Sequence, residues 1–216
     1  MKDIAVIGTG DFASIVYQIL RKHERNVVCF CVDDEYLSDD NTSFWDIPVI
    51  GRSELIKKYT PDTTELVAGF IGSPMFDIRQ KKCDEYKALG YAFANVIDTD
   101  VTYAAQIGEG NVIMQNVSLG FDTHIGDGNI IWPGVVFPHN NYIGDYNNIA
   151  PTASLSGYAK VGSHCYIGNN AIIKNRITVN DYTFVGAGAY IRHDTVSGTT
   201  IVPPRSYELD RPDTRL

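Results

Sequence analysis

The sequence predicts a small Rossmann-like α/β domain over residues 1–98 followed by a parallel β-helix of about five coils over residues 99–216, ending in a short tail. Three observations predict this. Counting in sixes from Ile107, the opening residue of fifteen consecutive hexads is always Ile, Leu, Val or Phe, from Ile107, Ile113 and Leu119 through to Val185 and Ile191. Those four types supply 59 of the 216 residues, so chance would put about four of them at fifteen positions. A period of six is neither that of an α-helix nor simple alternation, and it reads as three short strands per eighteen-residue coil. Gly follows the anchor seven times, and the fifth hexad position is mostly narrow, as at Ala153, Ala159, Cys165, Ala171 and Ala189. Narrow side chains there suit a tight triangular core. The third observation is a β-turn-α-β signal at the N-terminus.

The elements of the first domain follow in order. Residues 2–8 form an apolar strand ending in Gly8, Asp11 to His23 a helix, and Asn26 to Val32 a second strand closed by Asp33 and Asp34. Further strands are expected near Pro48 to Ile50 and Glu65 to Ile71, then a helix from Pro74 to Leu89 with Pro in its first turn. Tyr91 to Ile97 reads as a last strand, with the boundary near Asp98 to Asp100.

The turn Gly8-Thr9-Gly10-Asp11-Phe12-Ala13 fits the G-x-G-x-x-A dinucleotide fingerprint, whose glycines let backbone approach phosphate at a helix N-terminus. The hexads begin too soon for a second mononucleotide half, which argues against NAD. The turn is either a tight strand-to-helix connection without a ligand or a cradle for another nucleotide. In the second case Gly8, Gly10 and Asp11 meet the phosphates, and Asp33 or Asp34 accepts hydrogen bonds from base or ribose.

A net charge of −8 argues against a nucleic-acid surface. Any anionic ligand then needs a local basic patch. The four cysteines show no CxxC spacing and the start has no signal-peptide layout, so cytoplasmic free thiols are expected. No stretch approaches the ~20 apolar residues of a membrane helix.

A small α/β domain followed by unbroken hexads resembles the hexapeptide-repeat sugar acyltransferases that N-acetylate amino groups on nucleotide-linked deoxysugars in bacterial glycan biosynthesis. The resemblance is carried by the hexads and by Phe137-Pro138-His139-Asn140-Asn141-Tyr142-Ile143-Gly144-Asp145, with Ala150, Pro151 and Gly157 beyond. It implies a left-handed coil, a homotrimer, a nucleotide sugar held by the first domain and acetyl-CoA between neighbouring chains. It also implies that His139 is the general base and that the Gly157 N–H meets the thioester carbonyl. Two residues depart from the family pattern. Asn140 stands where an acidic residue usually follows the histidine, and Asn148 where many members carry a second histidine near the acetyl group. A sugar O-acyltransferase and a non-catalytic trimeric scaffold are the competing readings.

Stacking by eighteen yields two columns without any resemblance. One holds Phe121, His139, Gly157, Asn175 and His193, and its neighbour holds Gly120, Pro138, Ser156, Lys174 and Arg192. A pantetheine arm could cross Gly157 and Ser156 toward Lys174 and Arg192, which would meet the CoA phosphates; a solvated charged edge is the alternative. Arg205, in a Pro203-Pro204-Arg205 segment similar to the family's closing one, is a further candidate phosphate contact. His124 and His164 fall on other faces. The family's zinc-binding relatives have a histidine five residues after the first, and here that position is Gly144, so no metal is expected.

Overall fold

The structure, a computed structural model, describes residues 2–38, 42–73 and 77–206. Its first part is a five-stranded sheet in the order β3-β4-β2-β1-β5, with β1 Asp3–Ile7, β2 Val27–Val32, β3 Ser43–Phe44, β4 Ile47–Gly51 and β5 Thr64–Ala68. All pairs are parallel except β3 with β4, a short antiparallel edge. Helix α1, Asp11–Lys22, crosses from β1 to β2 and buries Phe12, Ala13, Val16, Ile19 and Leu20. That is the spacing of a single apolar stripe on a 3.6-residue turn. Helix α2, Arg52–Lys58, follows β4, and α3, Ile78–Lys87, follows β5. The expected start of α3 at Pro74 lies outside the described residues.

The expected last strand, Tyr91 to Ile97, is divided between the two parts of the molecule. Leu66 and Ala92 to Ala94 exchange backbone hydrogen bonds at the edge of the α/β sheet. Val96–Ile97 instead pairs with Val112–Ile113 as the first strand of the β-helix, because the Val96 N–H finds the Asn111 carbonyl at 2.8 Å.

The second part is a left-handed parallel β-helix built from three sheets of short strands. One sheet has seven strands, from Val96–Ile97 to Thr200–Ile201, and the other two have five each. Fourteen of the fifteen hexad anchors lie in one buried cluster and Ile107 packs against its end, half-buried. The narrow fifth positions fill the same core: Ala153, Ala159, Cys165 and Ala171 are fully enclosed.

A buried asparagine ladder ties four turns together. Asn111 N–H donates to Asn95 Oδ1 at 2.8 Å, Asn129 N–H to Asn111 Oδ1 at 2.9 Å and Asn147 N–H to Asn129 Oδ1 at 2.9 Å. Each side-chain oxygen thus satisfies a corner amide that would otherwise be buried without a partner.

The two parts are locked by Arg79 of α3. Its Nε donates to Gly128 O of the β-helix at 3.1 Å, and its Nη1 donates to Ala68 O at 3.1 Å and to Phe70 O. Complete burial pushes this guanidinium below its ordinary pKa. At the rim, Asp98 accepts from Lys22 at 2.6 Å and faces His23 Nε2 at 2.9 Å, while Lys87 pairs with Glu109 at 2.6 Å.

Candidate active site

His139 ends the strand Val136–His139, whose register against Ser118–Phe121 sets His139 beside Phe121. The strand is fixed from inside by Phe137, which is fully buried, and from its turn by Asn141. Asn141 Nδ2 donates to Ser156 O at 2.9 Å and to Ala159 O at 3.1 Å, so it holds the next coil's turn under the histidine. The imidazole is exposed to solvent and lies across Gly157. A Cβ at Gly157 would stand 2.3 Å from His139 Cε1 and 2.4 Å from Nε2, so only glycine leaves room for the ring.

The carbonyl of Gly157 accepts from Asn175 Nδ2 at 2.8 Å and from Arg176 N at 3.2 Å. Its N–H finds no acceptor among the described residues. The Tyr158 ring meets the imidazole edge-on, at 5.3 Å between centroids and 87° between planes, and Arg176 lies 4.3 Å from the Tyr158 ring centre.

His139 Nδ1 is 3.1 Å from Asn140 Oδ1. The amide nitrogen of Asn140 donates in turn to Asp122 Oδ2 at 2.7 Å, and the other carboxylate oxygen of Asp122 is 3.1 Å from His124 Nε2. Asp122 was not singled out by sequence reasoning, although its place eighteen residues before Asn140 was readable from the coil period. His124 belongs to an adjoining sheet, as its hexad position implies, yet its ring turns the corner to reach Asp122.

The basic column is in register. Ser156 N donates to Ile173 O and Lys174 N to Ile191 O, both at 2.9 Å, so Ser156, Lys174 and Arg192 climb the same face one coil at a time. Lys174 and Arg192 are exposed, and neither makes an ion pair among the described residues. Arg205, also exposed, follows the last strand of the seven-stranded sheet, where Pro203 sits 3.4 Å from a Cβ built on Gly186.

Asn148 is elsewhere. It lies on the seven-stranded sheet, is 8% exposed, and accepts from Trp132 Nε1 at 2.9 Å. The α/β domain docks over that sheet, so within one chain Asn148 is closed off from the His139 face and is not open to a CoA there. His164, also 7% exposed on the docked side, is stacked between Tyr146 and Tyr182 with its Nδ1 3.2 Å from Asp77 Oδ1.

The first domain holds a pocket of about 450 Å³ at the carboxyl ends of β1, β2 and β5, the position where open α/β sheets take ligands. Gly8, Asp33, Tyr36, Phe70 and Lys82 are among its walls. Gly8 has φ +103°, and a Cβ there would approach Gly69 O at 3.2 Å, so both the turn and the close approach require glycine. Asp33 pairs with Lys82 at 2.6 Å across the rim. Gly10 caps the N-terminus of α1 without a side-chain bond, and it and Asp11 are exposed beyond the pocket walls.

Asp34 is turned away from the pocket, contrary to its expected role. Its carboxylate accepts from Ser53 Oγ at 2.6 Å and Ser53 N at 3.0 Å. Those two bonds hold its carboxyl below the ordinary range and make it a cap for α2. Asp34 opens the 3-10 turn Asp34–Tyr36 that follows β2, and this turn carries its carboxylate to α2 while Asp33 stays at the pocket.

Two family profiles match the chain: the bacterial transferase hexapeptide (six repeats) over residues 104–139 and 158–193, and the PglD N-terminal domain over residues 3–86. The chain is an acyltransferase of the hexapeptide-repeat class, carrying a PglD-type N-terminal domain. It is similar to bacterial nucleotide-sugar N-acetyltransferases of known structure. The acetyltransferase domain of PglB from Neisseria gonorrhoeae, solved with acetyl coenzyme A, matches at 25% identity over 94% of this chain and 96% of that one, with a TM-score of 0.80. PerB from Caulobacter crescentus, solved with CoA and GDP-perosamine, matches at 23% identity over 94% and 95%, with a TM-score of 0.79. Structures of that perosamine N-acetyltransferase with a histidine replaced by Asn or Ala match at the same identity. No curated protein sequence matches. Among the described residues no helix is long and apolar enough to cross a membrane.

Proposed function

We propose that the protein is an acetyl-CoA-dependent N-acetyltransferase acting on a nucleotide-linked amino-deoxysugar in bacterial surface glycan biosynthesis. The observation that carries this reading is the pairing of His139 with Gly157: a solvent-facing imidazole lies across a glycine whose N–H has no acceptor among the described residues. In this reading the sugar amine attacks the thioester carbonyl while His139 Nε2 takes its proton. The carbonyl oxygen becomes an oxyanion and accepts from the Gly157 N–H. Collapse of the tetrahedral intermediate breaks the C–S bond, and the imidazolium returns the proton to the departing CoA thiolate.

The solved complexes of PglB with acetyl coenzyme A and of PerB with CoA and GDP-perosamine support the donor and the class of acceptor. The α/β pocket is the proposed nucleotide site, with Gly8 and Asp33 on its wall. CoA is proposed to run over Gly157 and Ser156 toward Lys174 and Arg192, at a site completed by a neighbouring chain in a homotrimer. The four buried free cysteines fit the reducing cytoplasm expected from the sequence.

Thiol release from acetyl-CoA, measured with a panel of amino and hydroxy nucleotide sugars, tests the reading. Release with amino sugars alone is expected, and the His139→Ala variant should slow it by about 10² to 10⁴ while still binding CoA. Release driven only by hydroxy sugars would make it an O-acyltransferase. No release with any acceptor would favour the scaffold.

A further inference from the structure

Taking His139 as the base, we infer that Asp122 is its positioning residue, acting through the Asn140 amide from one coil away. A carboxylate offers only acceptors, so the end of the amide that meets Asp122 Oδ2 at 2.7 Å must be the NH₂ group. That contact settles which way the Asn140 amide faces. Its oxygen is then the atom 3.1 Å from His139 Nδ1, and an amide oxygen can only accept. The ring must therefore carry its proton on Nδ1, which leaves the lone pair on Nε2, the nitrogen that lies over Gly157. Asp122 thus selects the tautomer able to take a proton from an attacking amine, although the two residues never touch.

The backbone is shaped for this relay. Asp122 and Asn140 occupy equivalent corners of adjacent coils with φ of +56° and +51°, a left-handed conformation that Asp and Asn adopt more readily than other side-chain-bearing residues. Asn140 N donates to Phe121 O at 2.7 Å, which locks one corner over the other. The second carboxylate oxygen of Asp122 is held by His124 Nε2 at 3.1 Å, so the carboxylate is braced from the side opposite Asn140. The Tyr158 ring also meets the imidazole, with the Arg176 guanidinium behind it. Neither is within hydrogen-bonding distance of Nδ1 or Nε2. The chain therefore supplies negative charge to its base, but through a neutral amide and from the preceding coil instead of the following residue.

Asp122→Asn tests the relay, because Asn tolerates the positive φ and the variant should keep its melting temperature. Its turnover number should fall roughly tenfold, with KM for both substrates changed less than about twofold. Adding Asn140→Asp to that variant should restore turnover to within about threefold of the parent by placing the carboxylate directly on the ring. Nitrogen-15 NMR of histidine-labelled protein, assigned against His139→Ala, reads the tautomer without reference to activity. In the unaltered protein neutral His139 should carry its proton on Nδ1, and in Asp122→Asn both tautomers should appear. An Nε2–H tautomer in the unaltered protein, or an Asp122→Asn variant with unchanged turnover, would overturn the relay. A protein that transfers no acyl group yet shows the Nδ1–H tautomer would keep the relay and sink the proposed reaction.

Discussion

The His139 imidazole occupies the space that a side chain on Gly157 would need, with Nε2 2.4 Å from the position of its missing Cβ. The two residues are eighteen apart, one full coil. Gly157→Ala should displace the ring rather than unfold the chain, because the atoms in conflict belong to an exposed side chain that can swing outward. Turnover should drop about 10- to 100-fold, while thermal melting moves by only a few degrees. A variant with full activity would show that the ring does not work from this position.

The basic column makes a second prediction. Lys174 and Arg192 follow each other on one face and are exposed without partners among the described residues. Replacing both with Ala should weaken acetyl-CoA binding by about 1 to 3 kcal/mol, the worth of charge-assisted phosphate contacts. A donor lacking the nucleotide phosphates should bind both proteins alike. Calorimetry that finds an equal loss for both donors would move the phosphates away from this column.

The asparagine ladder predicts a stability effect remote from any ligand. Asn129 is fully buried, and its Oδ1 accepts from both Asn147 N at 2.9 Å and Asn147 Nδ2 at 3.0 Å. Asn129→Ala strands the backbone N–H of Asn147 inside the coil. A loss of roughly 2 to 4 kcal/mol is expected in denaturant titration. A loss below about 0.5 kcal/mol would mean that water replaces the amide.

Acid should loosen the junction of the two domains. Burial alone would raise the Asp98 carboxyl, but hydrogen bonds from Lys22 and His23 outweigh it and leave the pKa lowered. A carboxyl lowered on folding stabilises the native state above its unfolded value, about 3.9, and loses that contribution as pH falls through the folded value. Below about pH 4 the parent should therefore lose more stability than Asp98→Asn, which has no charge to neutralise. Parallel stability curves from pH 7 to pH 3 would show that the cluster does not hold the junction.

The coil was legible because its period is enforced at every turn: an anchor such as Phe137 or Ile149 has no alternative to the narrow core, and both are fully buried. The column through His139, Gly157 and Asn175 followed from the same arithmetic, and so did the step from Lys174 to Arg192. What the period could not reveal was which side chains meet across a corner. Asp122 reaches Asn140 through paired left-handed residues, and no spacing rule encodes where such side chains project. Asn148 lies on the sheet that the first domain covers, and the hexads alone do not say which of three equivalent faces that will be. Asp33 and Asp34 are separated by the 3-10 turn that begins where β2 has ended, which leaves one carboxylate with Lys82 at the pocket and takes the other to Ser53.

The position of Pro203, resting over Gly186 at the end of the longest sheet, bears on how the molecule stays a discrete particle. A stack of parallel coils is in principle extensible, because its terminal strand offers unpaired N–H and C=O groups to any similar edge. Here one end is stoppered by the chain's own α/β domain, through Val96–Ile97. At the other end, Thr200–Ile201 is followed after one residue by two prolines, Pro203 and Pro204, neither of which has an N–H to offer. The same repeat that makes the coil easy to build would make it easy to polymerise, and on the longest sheet two residues without donors follow the last strand.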